Sequence, residues 1–321
     1  MKKNIVILMG GYSSEYDISV KSGEVVFDTL SKEEDLNLFQ VIISKNNWKC
    51  IDSENSKLKI DKDTFQIIRD NKVITIDLVL NTIHGVPGEN GEIQLYLENL
   101  NINQTSTASK ESRLTFDKDN CKNKVQKEGY LVPKSILVNK KDKINIDNIL
   151  SKLRLPLFVK PNSGGSSFGI SRITEKKDII KALEICFKED DEALIEEEIK
   201  GREISVGVIK YMDTIISLPP TEIISYNDFF DYDAKYNGES DEITPAKIKI
   251  ELENRVKEIS LDIYKKLNLK GFSRCDFILR DNQFYFLEVN TNPGLTEESI
   301  LPQMAKAGGI SLRDLFRSLI D

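Results

Sequence analysis

Arg274-Cys275-Asp276-Phe277-Ile278-Leu279 and Phe284-Tyr285-Phe286-Leu287-Glu288-Val289-Asn290-Thr291-Asn292-Pro293-Gly294 are apolar runs with polar outer ends, joined through Arg280-Asp281-Asn282-Gln283. The pattern predicts a β-hairpin. A three-residue loop, Asp281 to Gln283, sets Asp276 opposite Glu288 and Arg274 opposite Asn290. All four numbers are even, so these side chains share one face of the ribbon. Three hard oxygen donors beside a cation suit a magnesium site that holds substrate phosphates. A solvated face is the ordinary reading for charged strand residues. The rest of both strands is apolar, which favours a functional face.

Outward from the hairpin, the 321-residue chain is long enough for two or three domains or lobes. A composition of 40% hydrophobic and 30% charged residues is that of a soluble globular protein. With 45 basic and 52 acidic residues the net charge is -7. That balance argues against nucleic acid or an anionic membrane as the main partner, but leaves room for local positive pockets. No run approaches the roughly 18 apolar residues of a membrane span. The apolar stretch Ile5 to Met9 is too short for a signal peptide and reads as a first buried strand. Cys50, Cys121, Cys186 and Cys275 have no metal or disulfide spacing, as expected in a reducing cytoplasm.

Residues 1 to about 105 alternate strand and helix signals, predicting a parallel sheet with crossover helices. Strands are expected over Asn4–Met9, Leu38–Ile43 and Ile74–Ile83, and a short helix over Gly91–Leu100. Function in such sheets gathers at the carboxyl ends of strands. Gly10-Gly11-Tyr12-Ser13-Ser14-Glu15 and His84-Gly85 occupy two such ends. Neither is a dinucleotide fingerprint. A middle section, about 108–205, reads as a separate α+β lobe, and 206–321 as a third. The last helix takes Ser311 as its N-cap.

Gly164-Gly165-Ser166-Ser167 follows a strand that carries Lys160. Converging N–H groups and hydroxyls there could hold phosphate oxygens, with Lys118 and Lys160 as cations. Alone, the segment could equally be a flexible connection. Glu196-Glu197-Glu198 is either a solvated face or a set of acceptors for adenine and ribose. The long polar loop Asp228 to Ala246, with Phe229, Phe230, Tyr232 and Tyr236, is either a miniature core or a lid. His84, the sole histidine, is more naturally a hydrogen-bonded structural residue than a general base.

Taken together, these stretches resemble the D-alanine–D-alanine ligase family of the ATP-grasp superfamily. The likeness is carried by Gly10 to Ser19, His84-Gly85-Val86-Pro87-Gly88-Glu89-Asn90-Gly91, Asp117-Lys118, Val159-Lys160-Pro161 and Gly165 to Gly169. It continues through Asp233-Ala234-Lys235-Tyr236, Arg274-Cys275-Asp276 and Glu288 to Thr296, with Ser299 and Pro302 beyond. The resemblance implies an α/β ATP-grasp fold: an N-terminal parallel-sheet, Rossmann-like domain (1–107), a small central α+β lobe with the phosphate loop (108–205), and a C-terminal α+β lobe (206–321) with the metal site and polar lid. It implies that ATP phosphorylates one D-alanine, whose acylphosphate is attacked by the amine of a second, for peptidoglycan precursor synthesis.

The resemblance also assigns residues. Asp276, Glu288 and Asn290 would hold two magnesium ions, or manganese. Lys118, Lys160, Ser166, Ser167 and Lys235 would meet the ATP phosphates. Glu196, Glu197 and Ile199 would line adenine, and Glu203 the ribose. Glu15, linked to Ser166 and Tyr236, would hold the first ammonium, supported by His84. Arg274 and the Gly294 N–H would stabilise the oxyanion, and Ser299 the second carboxylate. Tyr236 marks the dipeptide-forming type rather than the D-lactate ligases. A cytoplasmic homodimer without nucleic-acid or membrane partners completes the expectation. Rival readings are another ATP-grasp carboxylate–amine ligase, D-alanine–D-lactate and D-alanine–D-serine forms included, a nucleotide-binding regulator that has lost catalysis, and a nicotinamide-dependent oxidoreductase.

Overall fold

The computed structural model describes residues 2–54, 56–165, 168–225 and 240–321. Strand β1 (Lys3–Gly10) leads through helix α1 (Tyr16–Leu30) to β2 (Leu36–Ile43), its parallel neighbour. The chain then departs from the expected alternation. Strands β3 (Trp48–Asp52), β4 (Lys57–Asp61), β5 (Gln66–Arg69) and β6 (Lys72–Ile74) form an antiparallel meander before β7 (Leu78–Asn81) returns parallel to β1. The expected strand Ile74–Ile83 is thus two pieces on opposite edges of one seven-stranded sheet. Asp70 and Asn71, at φ 49° and 61°, form the two-residue turn that reverses β5 into β6. Helix α2 (Glu92–Asn99) closes this part.

Ile5, Ile7 and Met9 point to one core and Val6 and Leu8 to another. Strand β1 is therefore buried on both faces, which explains its unbroken apolar run.

Helices α3 (Ser109–Phe116) and α4 (Lys118–Lys127) follow. Asp117 caps α4 by accepting the Asn120 N–H at 3.0 Å. The α4 start is tied to the next lobe: Lys118 N–H donates to Asn162 O at 3.0 Å, and Asp119 N–H to Asn162 Oδ1 at 2.9 Å. That lobe comprises β8 (Ser135–Asn139), α5 (Ile146–Lys152), β9 (Leu157–Pro161), β10 (Ser171–Ile173), α6 (Ile179–Cys186) and β11 (Glu192–Glu197). Its antiparallel sheet runs β10-β9-β11-β8.

The third sheet contains β12 (Arg202–Tyr211), β13 (Thr214–Ser217), β14 (Thr221–Ser225) and β15 (Ser240–Ile243). After helix α7 (Ile250–Lys266), β16 (Ser273–Arg280) and β17 (Gln283–Asn290) complete it in the order β15-β14-β12-β16-β17. Helix α8 (Ile300–Ala307) and helix α9 (Leu312–Arg317), capped by Ser311, return to the first core, where Leu301, Met304, Leu315 and Phe316 join Ile5, Ile7 and Val26. Phe277 and Phe286 are fully buried and meet edge-to-face at 5.8 Å. Truncating either to alanine costs about 3–5 kcal/mol.

The hairpin loop corrects the sequence expectation. Arg280 pairs with Gln283, so the turn has two residues, Asp281 and Asn282, at φ 52° and 59°. Asp276 nevertheless faces Glu288, and Arg274 faces Asn290. A bulge between the Asp276 and Phe277 pairs leaves Leu287 as the extra residue and restores the expected register.

Candidate active site

A cavity of about 550 Å³ opens where the second and third sheets face each other. Lys118, Lys160, Arg274, Asp276 and Glu288 line it, as do Glu196, Glu197, Ile199 and Glu203. Every described residue expected to meet the nucleotide thus gathers in one place, with Phe158, Ile278 and Leu287 as apolar wall. The bulge at Leu287 is what lets it and Glu288 both contribute to that wall. Asn290 lies outside the lining, two ladder positions beyond Glu288 and opposite Arg274. Ser166, Ser167, Lys235 and Tyr236, with most of the expected lid loop, lie outside the described residues.

The charges in this cavity come in pairs. Arg274 grips Asp276 bidentately at 2.9 and 2.8 Å, and Ser205 Oγ donates to Asp276 Oδ1 at 2.5 Å. Lys118 Nζ lies 3.2 Å from Glu288 Oε2 and donates to Gly164 O at 2.6 Å. Burial opposes its charge, but the Glu288, Glu89 and Glu15 carboxylates hold its pKa above the ordinary lysine value. Glu196 sits between Lys160, at 3.0 Å, and Lys122. Burial alone would raise the Glu196 carboxyl, yet the two lysines pull it below its ordinary value. Its neighbours are engaged too: Glu197 Oε1 accepts the Arg154 N–H at 2.7 Å, and Glu198 takes Arg172 bidentately at 2.9 and 3.0 Å.

The donor set suits a magnesium or manganese ion bound with phosphates. Two carboxylates face each other as one ladder pair, and an amide side chain follows two residues along β17 on the same face, all hard oxygen. Among the described residues no group of three His, Cys, Asp or Glu forms a cage. Substrate oxygens would have to complete such a shell, as magnesium sites commonly require.

A second cluster lies at the ends of β1 and β7. Glu15, just before α1, is 8% exposed. A Cβ on Gly85 would come within 2.8 Å of Glu15 Oε2, and one on Gly165 within 3.1 Å of both its oxygens. A side chain at Gly85 would collide with this carboxylate, and one at Gly165 would crowd it, so glycines stand where two loops come nearest to Glu15. His84 is buried, with Nε2 3.1 Å from Ser22 Oγ, which accepts the Leu295 N–H at 3.3 Å. Burial lowers its pKa, while Glu15 and the Asn292 backbone oppose the shift. Asn292 Nδ2 donates to Ile83 O at 2.6 Å. His84 is thus a strut that docks the Asn292–Leu295 loop on the first sheet, in agreement with the structural reading of a lone histidine. A Cβ on Gly294 would meet Ser299 Oγ at 2.7 Å, so these two expected substrate contacts are adjacent.

Sequence reasoning gave no role to Glu89, Ser22 or Lys122. Half-buried Glu89 accepts the Gly85 N–H at 3.1 Å, and desolvation with the nearby Glu15 pushes its pKa up to about 8. It lies inside a quoted motif, but nothing in its spacing marks it as titratable near neutrality.

A nucleotide-sized cleft between two antiparallel sheets, with paired carboxylates and two lysines, defines an ATP-grasp ligase. The comparisons with known proteins narrow this class. The family described as D-ala D-ala ligase N-terminus matches residues 4–107, and D-ala D-ala ligase C-terminus matches 125–321. The D-alanine–D-alanine ligase of Flavobacterium johnsoniae is 48% identical over 99% of this chain and 98% of its own. Among solved structures, a D-Ala:D-Ser ligase from Enterococcus faecalis superposes with TM-score 0.87 at 32% identity, covering 100% of this chain and 99% of that one. The ATP complex of the D-alanine–D-alanine ligase from Bacillus anthracis gives 0.79 at 32% identity, covering 99% and 96%. The chain belongs to the D-alanine–D-alanine ligase family and is an ATP-dependent ligase. Among the described residues, no helix is long and apolar enough to cross a membrane.

Proposed function

We propose that this protein joins two D-alanines into D-alanyl-D-alanine, with ATP becoming ADP and phosphate, to supply peptidoglycan synthesis in the cytoplasm. The observation that carries the reading is the single cavity uniting Lys118 and Lys160 with Arg274, Asp276 and Glu288. The lysines hold the ATP phosphates, while Glu196, Glu197 and Ile199 line adenine and Glu203 takes the ribose. Glu15 binds the first D-alanine's ammonium from a loop fixed by His84. The carboxylate oxygen of that D-alanine, not of Glu15, attacks the γ-phosphorus and ADP leaves. The neutral amine of the second D-alanine then bonds to the acyl carbon; the C–O bond to phosphate breaks, and the proton lost by the nitrogen leaves with the phosphate. Arg274 and the Gly294 N–H steady the oxyanion on that carbon, and Ser299 receives the second carboxylate. Asp276, Glu288 and Asn290 would hold two magnesium ions, or manganese, which neutralise phosphate charge when bound.

We assign loop closure to Ser166, Ser167 and Lys235, and the hydrogen-bonded link to Glu15 to Ser166 and Tyr236. We take the lobes as 1–107, 108–205 and 206–321 and the assembly as a homodimer. Phosphate release from ATP with D-alanine as sole amino acid tests the reaction. Glu288→Gln is expected to abolish that release with the fold retained; undiminished turnover would refute the metal assignment. Mass analysis with D-serine or D-lactate offered beside D-alanine separates the dipeptide reading from its relatives. Preferential use of D-serine would shift it toward the Enterococcus faecalis enzyme's class.

A further inference from the structure

Lys160 and Glu196 face the nucleotide cavity, whereas Lys122 stands behind its wall with a side chain 2% exposed. It lies one helical turn after Lys118, on the same face of α4. The body of α4 is fixed to the third sheet: Cys121 and Val125 share a core with Val206, Phe277 and Phe286, and the helix packs on β17. Its ammonium reaches the other way, into the second sheet. There it donates to Ser135 Oγ at 3.2 Å and to Glu196 Oε2, on two residues that pair across β8 and β11. The other Glu196 oxygen takes Lys160 Nζ at 3.0 Å.

Two ammonium groups on one carboxylate leave one positive charge in excess. Only Lys160 of the two reaches the cavity, so the excess is presented to whatever binds there. Without Lys122, Glu196 and Lys160 would form a neutral pair, and a polyphosphate would have to compete with Glu196 for its cation. A buried lysine is costly to keep unless its charge is used or paired. Lys124, on the same helix, meets Glu128 at the surface with 44% of its side chain exposed, and so carries no such cost.

We propose that Lys122 is a positioning residue for the nucleotide: held behind the cavity wall, it neutralises Glu196 so that Lys160 faces the phosphates as a net cation, and it ties the sheet bearing Asp276 and Glu288 to the sheet beside the phosphate loop. This rests on the reading that the cavity takes ATP.

The test is the affinity of the full chain for a non-hydrolysable ATP analogue, measured by calorimetry without amino acid, in wild type, Lys122→Met, Glu196→Gln and the double variant. Lys122→Met is expected to weaken binding about ten- to hundredfold, with the KM for D-alanine within about twofold of wild type. In the Glu196→Gln background the same change is expected to matter less than about twofold, because its partner is already gone. Unchanged affinity in Lys122→Met overturns the proposal, as does a tenfold loss that persists beside Glu196→Gln. An equal rise in the KM for D-alanine, which general damage would cause, overturns it too. Should Lys122→Met not fold, the double variant removes the buried carboxylate and the ammonium behind it together, and leaves only Lys160, which faces the cavity, without its carboxylate. Affinity equal to Glu196→Gln then supports the proposal, and a tenfold deficit refutes it. Wild type that binds no analogue would remove the nucleotide reading itself, an outcome distinct from all of these.

Discussion

The two halves of the site handle charge in opposite ways. Around the nucleotide cavity carboxylates are matched with cations: Asp276 with Arg274, Glu288 with Lys118, Glu196 with Lys160 and Lys122. Around Glu15, burial does more of the work, and it pushes His84 and Glu89 toward their neutral forms. The difference follows from what each half must receive. A polyphosphate with its metal ions brings several charges of both signs, and pre-paired groups can exchange partners without being stripped of solvation first. At the amino-acid end a single ammonium has to be held, and with His84 and Glu89 pushed toward their neutral forms neither competes strongly with Glu15 for it.

The hardest way to break the comparison is at Arg274, a cation that serves both halves. Arg274→Lys keeps the charge but loses the planar fork on Asp276. The expected result is a kcat lower by about 10²–10³-fold, with ATP still protecting the protein against thermal unfolding. A variant with normal turnover would show that the guanidinium geometry is dispensable, and the two halves would then need no shared cation.

The pH dependence of stability tests the neutral half directly. The folded-state pKa of His84 lies below its ordinary value of 6.5. Below that value the unfolded chain binds more protons, so stability present at neutral pH is lost as pH falls through 6.5 toward the folded value. Glu89 runs the other way. Its pKa rises from 4.5 to about 8, so the folded state holds the extra proton across that window. Its contribution is full below 4.5 and is lost as pH rises toward 8. Denaturant titrations should show the acid-side loss diminished in His84→Asn and the alkaline-side loss diminished in Glu89→Gln. Parallel profiles for both variants and wild type would mean that this half is not held neutral.

What could be read from the residues alone followed the strength of the local pattern. Asp276, Glu288 and Asn290 stand out because polar side chains interrupt strands that are otherwise apolar. Glu15 and His84 stand out because they follow strand ends. Lys122 has no such contrast: α4 reads Lys118, Lys122, Lys124 and Lys127 in a polar helix, and the facing Glu196 is what sets Lys122 apart from the surface lysines Lys124 and Lys127. The meander β3–β6 escaped because its strands are only three to five residues long and carry many charges, too short for periodicity to register. Ser22 and Glu89 gain their roles from chain segments far away in sequence, at Leu295 and at Glu15.

The hairpin turn supplies the smallest expected effect and a sharp control. A three-residue loop without a bulge and a two-residue turn with one give the same pairing of Asp276 with Glu288, so the expected partners were right while the connection was not. The two differ at Asn282, which must sit at φ 59°, a left-handed conformation that asparagine tolerates and β-branched residues do not. Asn282→Val should therefore lower stability by about 1 kcal/mol, and Asn282→Gly should change it by only a few tenths. Both should leave kcat within about twofold of wild type, because the turn lies at the far end of the hairpin from Asp276 and the bulge insulates the register. A loss of activity in Asn282→Val at full folding would mean that the turn, not the bulge, sets where Glu288 faces, and the paired half would then depend on a loop rather than on its own ladder.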